Sequence, residues 1–291
     1  MSEICLIIVL YFPKDEQLKA LLEMIRNEKV SVIFVDNTSE IVNDELLFLS
    51  KEENSVIIYL PQMINKGIAE AQNIGIVKAK SNPKFRYVLF LDQDSVIEKD
   101  FVKKMINEYL RIEKEGINIA ALGPTIINID KKEKYKQESS SVKQRKDGFY
   151  LPSALISSGM MISLETLNSV GLMESKLFID AVDFEWCWRA KSKGYDCCMT
   201  ENVLMPHKVG IQDKSFFGYT ILVSSPVRYY YQYRNFIWLL NRSYVPLNWK
   251  IKNFLKKIFL LFYLPFCTSD GIKNFTNSIN GIKAGCQGAL K

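Results

Sequence analysis

Several familiar signatures are missing from this chain of 291 residues. His207 is its one histidine, so imidazole can supply at most one ligand to any metal. No glycine-rich phosphate loop of the P-loop kind occurs, which argues against that route to nucleotide binding. The six cysteines (Cys5, Cys187, Cys197, Cys198, Cys267 and Cys286) lack CxxC spacing, and no basic leader precedes the first apolar run. These absences predict packing cysteines, no signal peptide and a reducing cytoplasm. No stretch reaches the roughly 18 to 20 apolar residues needed to span a bilayer. Neither an internal repeat nor a long linker is present.

What is present is ordinary globular material, 48% hydrophobic and 24% charged, with a substantial core expected. The net charge of +6 fits anionic partners such as nucleotide diphosphates or a membrane surface, and does not single out nucleic acid. Basic residues Lys250, Lys252, Lys256 and Lys257 lead into the apolar, aromatic run from Ile258 to Phe266. Such a segment either lies on an anionic membrane face or packs as a helix on the main domain.

Apolar runs at Ile4–Leu10, Val30–Val35, Ser55–Leu60 and Tyr87–Leu91 read as buried parallel strands, and Ile119–Leu122 as the start of another. Between them, Asp15–Glu28, Ile68–Lys80 and Asp100–Lys114 have helical spacing. Strand alternating with helix predicts a three-layer α/β fold around a mostly parallel sheet. Residues 130–147, rich in charge and serine, read as a mobile loop beside the site or a solvated hairpin. The division expected is a catalytic domain over 1–210 and a helical, basic and aromatic appendage over 211–291.

The chemistry concentrates where apolar runs stop on polar groups. Asp92 and Asp94 end the run Tyr87–Leu91, placing two hard oxygen ligands where open α/β sheets bind ligands. Asp36 ends another run and suits a nucleobase or ribose, or equally a helix cap. Asn65, Gln72 and Asn73 bring amides to the amino end of a helix facing the same edge, though a structural cap has the same pattern. Asp180, Asp183 and Glu185 cluster at the start of a helix with Trp186. An acid in such a partly apolar setting acquires the raised pKa of a general base, for which Asp183 is the first choice and Glu185 the second. Helix-end electrostatics and a Glu185–Arg189 ion pair are the alternative. His207 follows another apolar run and reads either as a satisfied structural histidine or as a nitrogen ligand, more naturally to Mn²⁺. Arg228 and Arg234 share a tyrosine-rich stretch, either clasping diphosphate oxygens or lying solvated on a packing helix.

Taken in order, these stretches resemble the family 2 glycosyltransferases, and most closely their bacterial rhamnosyltransferase branch. The matching stretches are Val35-Asp36-Asn37, Asn65-Lys66-Gly67-Ile68-Ala69 with Ala71-Gln72-Asn73, and Leu91-Asp92-Gln93-Asp94-Ser95. They continue through Leu155-Ile156-Ser157-Ser158-Gly159, Leu177-Phe178-Ile179-Asp180 with Asp183, Glu185 and Trp186, His207 with Gly210, and Ser225-Pro226 with Arg228 and Arg234-Asn235. The resemblance implies a GT-A fold, a nucleotide-sugar donor, Mg²⁺ or Mn²⁺, and inversion at the anomeric carbon. It implies that Asp36 contacts the base, that Asp92 and Asp94 serve ribose and metal with His207, and that Asp183 deprotonates the acceptor. The expected activity is transfer of L-rhamnose from dTDP-L-rhamnose to a lipid-linked oligosaccharide in O-antigen or capsule synthesis, on the inner face of a bacterial membrane. Another UDP- or dTDP-hexose donor, a nucleotidyltransferase or phosphohydrolase, and a non-catalytic sugar-nucleotide-binding subunit are the competing readings.

Overall fold

The computed structural model describes residues 3–53, 55–128, 133–134, 143–145, 148–207, 213–216 and 219–288. For residues 128, 133–134, 143–145, 207, 213–216 and 219–222 it describes the backbone alone. The chain runs β1 (Ile4–Leu10), α1 (Asp15–Glu28), β2 (Ser31–Ser39), α2 (Asp44–Ser50), β3 (Ile57–Met63), α3 (Gly67–Lys80), β4 (Tyr87–Asp92), α4 (Phe101–Lys114) and β5 (Ile119–Asn128). Short strands β6 (Glu133–Lys134), β7 (Lys143–Arg145), β8 (Phe149–Leu151) and β9 (Met161–Ser163) precede α5 (Leu164–Val170), a 3₁₀ turn at Ser175–Leu177, and α6 (Val182–Ser192). Then come β10 (Asp196–His207), the hairpin β11 (Asp213–Phe216) and β12 (Tyr219–Leu222), and helices α7 (Pro226–Leu240), α8 (Leu247–Cys267) and α9 (Gly271–Gln287).

The main sheet has the order β3-β2-β1-β4-β9-β5-β10-β8-β7, with β6 on β5. Strands β3, β2, β1 and β4 are parallel, as are β5 and β10, while β9 enters antiparallel between β4 and β5. The two-residue period of β1 explains its uninterrupted apolar sequence. Ile4, Leu6 and Ile8 point into a core shared with α1 and α4, whereas Cys5 and Ile7 point into a second core shared with α3 and α6. The three-layer α/β reading therefore holds.

Some local readings change. β2 continues through Asp36 to Ser39 with a register shift, so Asp36 lies inside the strand's polar end rather than at its last position. α2 was not expected, because its seven residues are too few to show helical periodicity. Cys267 and Cys286 are exposed rather than packed. Most of the anticipated 130–147 loop lies outside the described residues. A third, small core of Tyr229, Tyr233, Leu260 and Leu264 joins α7 to α8.

Candidate active site

The register of β1 with its two neighbours builds the first wall of the site. Leu10 pairs with Asp36 on β2 and Val9 with Asp92 on β4, so the two acids stand nearly level at the carboxyl edge. One strand separates them, a span of about 10 Å at the usual strand spacing. Gln93 fastens the end of β1 by accepting from the Tyr11 amide at 2.8 Å, and Thr38 Oγ1 accepts from the Phe12 amide at 3.0 Å. The Asp92 amide donates to Ser95 Oγ at 2.9 Å, which turns the chain sharply and leaves Asp94 exposed beyond the strand.

The second wall is the turn Ser157-Ser158-Gly159 that leads into β9. Gly159 adopts φ +79°, and a Cβ there would stand 2.7 Å from Pro124 Cγ and 2.9 Å from Met205 Sδ. The turn is pinned by the Gly159 amide donating to Phe90 O at 2.8 Å and by Ser95 Oγ meeting Ser158 Oγ at 3.1 Å. Gln72 Nε2, from α3, donates to Ser157 Oγ at 2.6 Å.

Asp183 opens α6 opposite this turn. Its Oδ2 accepts from the Ser157 amide at 3.0 Å and its Oδ1 from the Phe184 amide at 2.9 Å. Burial pushes its carboxyl up to about 6, overriding the backbone hydrogen bonds that lower it, and the nearby Asp180 adds to the rise. Asp92, Gln72, Ser157, Ser158, Asp183 and Arg228 share one cleft of about 390 Å³. Such a carboxyl can take a proton from a bound hydroxyl near neutral pH.

The segment before Asp183 is held in unusual backbone geometry. Phe178, Asp180 and Ala181 all have positive φ, at 65°, 66° and 63°. Asn235, almost fully buried on α7, fixes them: its Nδ2 donates to the carbonyls of Leu177, Ile179 and Asp180 at 2.9, 2.8 and 3.0 Å. Arg228 closes the cleft wall through a bidentate pair with Asp180, Nη2 at 2.5 Å and Nε at 3.3 Å. Phe178 stacks on Tyr231 with centroids 4.5 Å apart, and its carbonyl accepts from the Ile68 amide at the start of α3 at 2.7 Å.

Helix geometry separates residues that the sequence had grouped. Gln72 and Asn73 are about 100° apart on α3, so Gln72 faces the cleft while Asn73 bonds Met173 and Ser175 on another side. Asp183 and Glu185 are about 200° apart on α6. Glu185 is accordingly committed to Arg189, at 2.9 Å, and to the Tyr244 hydroxyl, at 2.7 Å. Asn73 and Glu185 line a separate cavity of about 1100 Å³ that holds none of Asp92, Asp94, Asp180 or Asp183. Trp186 is fully buried, with Nε1 donating to Gly171 O at 2.8 Å.

Arg234 does not line the cleft. Its Nη2 donates to Lys176 O and Leu177 O at 2.7 and 3.0 Å, and its guanidinium lies 4.2 Å from the Trp238 ring centroid. Six residues after Arg228, it is rotated about 240° around α7, which turns it to the 3₁₀ turn instead. Asp36 is buried, with Oδ1 accepting from the Thr38 amide at 2.9 Å and Oδ2 from the Tyr59 hydroxyl at 2.8 Å. Asn65 Oδ1 accepts from the Gly67 amide at 2.9 Å, the first of α3, close to the expected cap. The backbone of His207 ends β10 against Asn128, and its side chain lies outside the described residues. Among the described residues no three of His, Cys, Asp and Glu form a metal cluster.

Two site residues were not singled out from the sequence, although Ser157 lies in a matching stretch. Tyr59 sits mid-strand and reaches Asp36 only through the β2–β3 pairing, while Ser157 acts through its amide, which any residue type would supply. Asn235 was visible as a motif residue, but its triple backbone contact was not.

The profile of Glycosyl transferase family 2 matches residues 5–165. The chain is 35% identical over 256 residues to the dTDP-rhamnosyl transferase RfbF of Shigella flexneri, covering 84% of this chain and 82% of that protein. Among solved structures, GalNAc-T7 with UDP, GalNAc and Mn²⁺ superposes with a TM-score of 0.57 at 14% identity over 96% of this chain. TarS of S. aureus superposes with a TM-score of 0.50 at 16% identity over 93%. This chain spans about half the length of these two structures, covering 54% of the first and 45% of the second, and the likeness to them concerns the fold, which is that of GT-A glycosyltransferases. The chain belongs to glycosyl transferase family 2. It is a glycosyltransferase, and the readings as nucleotidyltransferase, phosphohydrolase or non-catalytic subunit give way.

Proposed function

We infer that this glycosyltransferase moves L-rhamnose from dTDP-L-rhamnose, with inversion, to a lipid-linked saccharide in the synthesis of bacterial surface polysaccharide, O-antigen or capsule. The observation that carries this reading is the 35% identity to the Shigella flexneri dTDP-rhamnosyl transferase over 84% of the chain. Asp183 is the general base: ionised, it takes the proton of the acceptor hydroxyl as that oxygen attacks the anomeric carbon from the face opposite the diphosphate. One base behind the nucleophile and one leaving group in front produce inversion in a single displacement. Arg228, steadied by Asp180, meets the diphosphate from the cleft wall.

Asp92 and Asp94 are the residues that would hold Mg²⁺ or Mn²⁺. Two carboxylates at a strand end, the second of them exposed, are hard oxygen donors of the kind such a cation would take. His207 is the proposed nitrogen ligand. When bound, such a cation neutralises charge on the departing diphosphate.

α8 supports a peripheral position on the inner face of the membrane. No helix among the described residues is long and apolar enough to cross a membrane. Yet Leu255, Phe262 and Phe266 are 62%, 73% and 87% exposed on a helix without a single acidic residue. Lys250 is not free for lipid, because its ammonium donates to the carbonyls of Leu240 and Arg242 at 2.8 and 2.7 Å. Lys252 and Lys256 are the exposed cations there.

A donor panel tests the reading: purified protein, Mg²⁺ or Mn²⁺, and a crude lipid-linked acceptor, with dTDP-rhamnose expected to outrun UDP-hexoses. Turnover of UDP-hexoses without dTDP-rhamnose would defeat the sugar assignment. Asp94→Ala is expected to abolish metal-dependent donor binding.

A further inference from the structure

Asp36 is held from two sides, and one of its holders comes from the neighbouring strand. Tyr59 on β3 pairs with Phe34 on β2, so Asp36, two residues further along and on the same face, lies within reach of the Tyr59 hydroxyl. That hydroxyl donates to Asp36 Oδ2 at 2.8 Å and accepts from the Asn43 amide at 2.9 Å. Asn43 caps α2, its Oδ1 accepting from the Leu46 amide at 2.9 Å. The short helix α2 thus anchors a chain of donors that ends on the carboxylate.

The direction of that chain is fixed. A phenol has one hydrogen, and with the Asn43 amide on an oxygen lone pair that hydrogen goes to Asp36. Burial pushes the Tyr59 hydroxyl well above its ordinary pKa and the Asp36 carboxylate adds to the rise, so the hydrogen stays on the phenol. On the other oxygen, the Thr38 amide donates to Asp36 Oδ1 at 2.9 Å. Both neighbours present hydrogens, which leaves Asp36 an acceptor alone. An ionised carboxylate has about four acceptor positions, and each oxygen keeps one beyond these bonds.

Asp36 also stands where a ligand can come. It pairs with Leu10 at the carboxyl edge of the sheet, and the next two residues of the β1 end, Tyr11 and Phe12, are 48% and 52% exposed. Flat apolar faces beside a desolvated, oriented acceptor suit a planar ring that carries an N–H. The Phe12 amide is itself tied to Thr38 Oγ1 at 3.0 Å, so these faces and the carboxylate share one support.

We propose that Tyr59 is a positioning residue for the donor's base: together with the Thr38 amide it holds Asp36 so that the remaining lone pairs receive the N3–H of the thymine ring. This rests on the reading of Asp36 as the base contact. A ring with no hydrogen at that nitrogen leaves the buried acceptor without a partner and is disfavoured. Tyr59 acts on affinity for the nucleotide and has no part in the chemical step.

The test is calorimetry on the full chain with Mg²⁺, using dTDP, N3-methyl-dTDP and inorganic pyrophosphate as ligands. Tyr59→Phe removes one oxygen and keeps the ring in its core, and a thermal melt checks the fold. The wild type should prefer dTDP over N3-methyl-dTDP by about tenfold or more, the size of one charge-assisted bond. Tyr59→Phe should weaken dTDP by about fivefold and leave N3-methyl-dTDP and pyrophosphate within about twofold, because two changes to one contact do not add. In transfer assays KM for dTDP-rhamnose should rise while kcat stays within about twofold. Equal binding of dTDP and N3-methyl-dTDP by the wild type would overturn Asp36 as the base contact. Full discrimination retained by Tyr59→Phe would overturn the role of Tyr59 and leave the Asp36 reading standing. Pyrophosphate binding lost in the folded variant, or a fall in kcat with KM unchanged, would also overturn it, since the substitution would then act on the site as a whole.

Discussion

The amide of Ser157 donates to Asp183 Oδ2 at 3.0 Å, joining the turn before β9 to the first turn of α6. This bond holds one carboxylate oxygen toward the protein and orients the group at the cleft. Asp183→Asn should keep donor affinity within about twofold and reduce kcat by about 10² to 10⁴, the usual contribution of a general base. Calorimetric donor binding beside single-turnover transfer measures both; unchanged kcat would remove Asp183 from the role of base.

The pH dependence has a definite sign. Because burial raises Asp183 from 3.8 to about 6, the ionised base is depleted below that pH, and kcat/KM should fall about tenfold per pH unit on the acid side. The same shift means the folded protein binds this proton more tightly than the unfolded chain. The group's contribution to stability therefore declines as pH rises from 3.8 to about 6. Asp180→Asn removes a negative neighbour and should move the acid limb to lower pH. A limb that stays fixed or moves upward counts against this coupling.

Asn235→Leu tests the frame of the 178–181 loop. Ile179 O and Asp180 O lose the Asn235 donor while Leu177 O keeps Arg234, so urea denaturation should show a loss of about 2 kcal/mol, on the scale of an unsatisfied buried polar group each. The surviving folded enzyme should lose kcat more than donor affinity, because the loop carries Asp180 and leads into Asp183.

Gly67 and Gly116 form an internal control, since both have φ +80°. At Gly116 a Cβ would meet nothing within 4 Å, whereas at Gly67 it would stand 2.5 Å from Phe178 Cδ2 and 2.6 Å from Phe178 O. Gly116→Ala should destabilise by about 1 kcal/mol, the conformational cost alone. Gly67→Ala should destabilise by at least about 2 kcal/mol more, because the Phe178 backbone has to move. Equal losses in thermal melts would show that the α3 amino end yields to the added methyl.

Glu185→Gln separates the two acids of α6. It weakens the pair with Arg189 and the bond from Tyr244, so stability should fall by about 1 to 3 kcal/mol. The acid limb of the rate profile should remain where Asp183 sets it. A shifted limb in a fully folded variant would bring Glu185 into the catalytic chemistry.

The strand positions, the alternation with helices and the stop of β4 on Asp92 were legible because buried parallel strands are continuous apolar runs and their ends are abrupt. Asp183 was legible as well, since an acid among bulky residues at a helix start already suggests a raised pKa. The partition within each pair was not. Whether Gln72 or Asn73, Asp183 or Glu185, and Arg228 or Arg234 faces the cleft depends on which side of its helix packs on the sheet. That orientation is fixed by contacts 50 to 100 residues away in sequence, such as Asn235 to Leu177 and Asn73 to Met173.

By itself, then, the sequence determined the layers of the fold and the acids at the strand end of Asp92-Gln93-Asp94, because these follow from local periodicity and the burial of apolar runs. Tertiary structure decided which carboxylate is desolvated at the cleft and which is tied to an arginine. Desolvation and pairing depend on neighbours the chain brings together only when it folds.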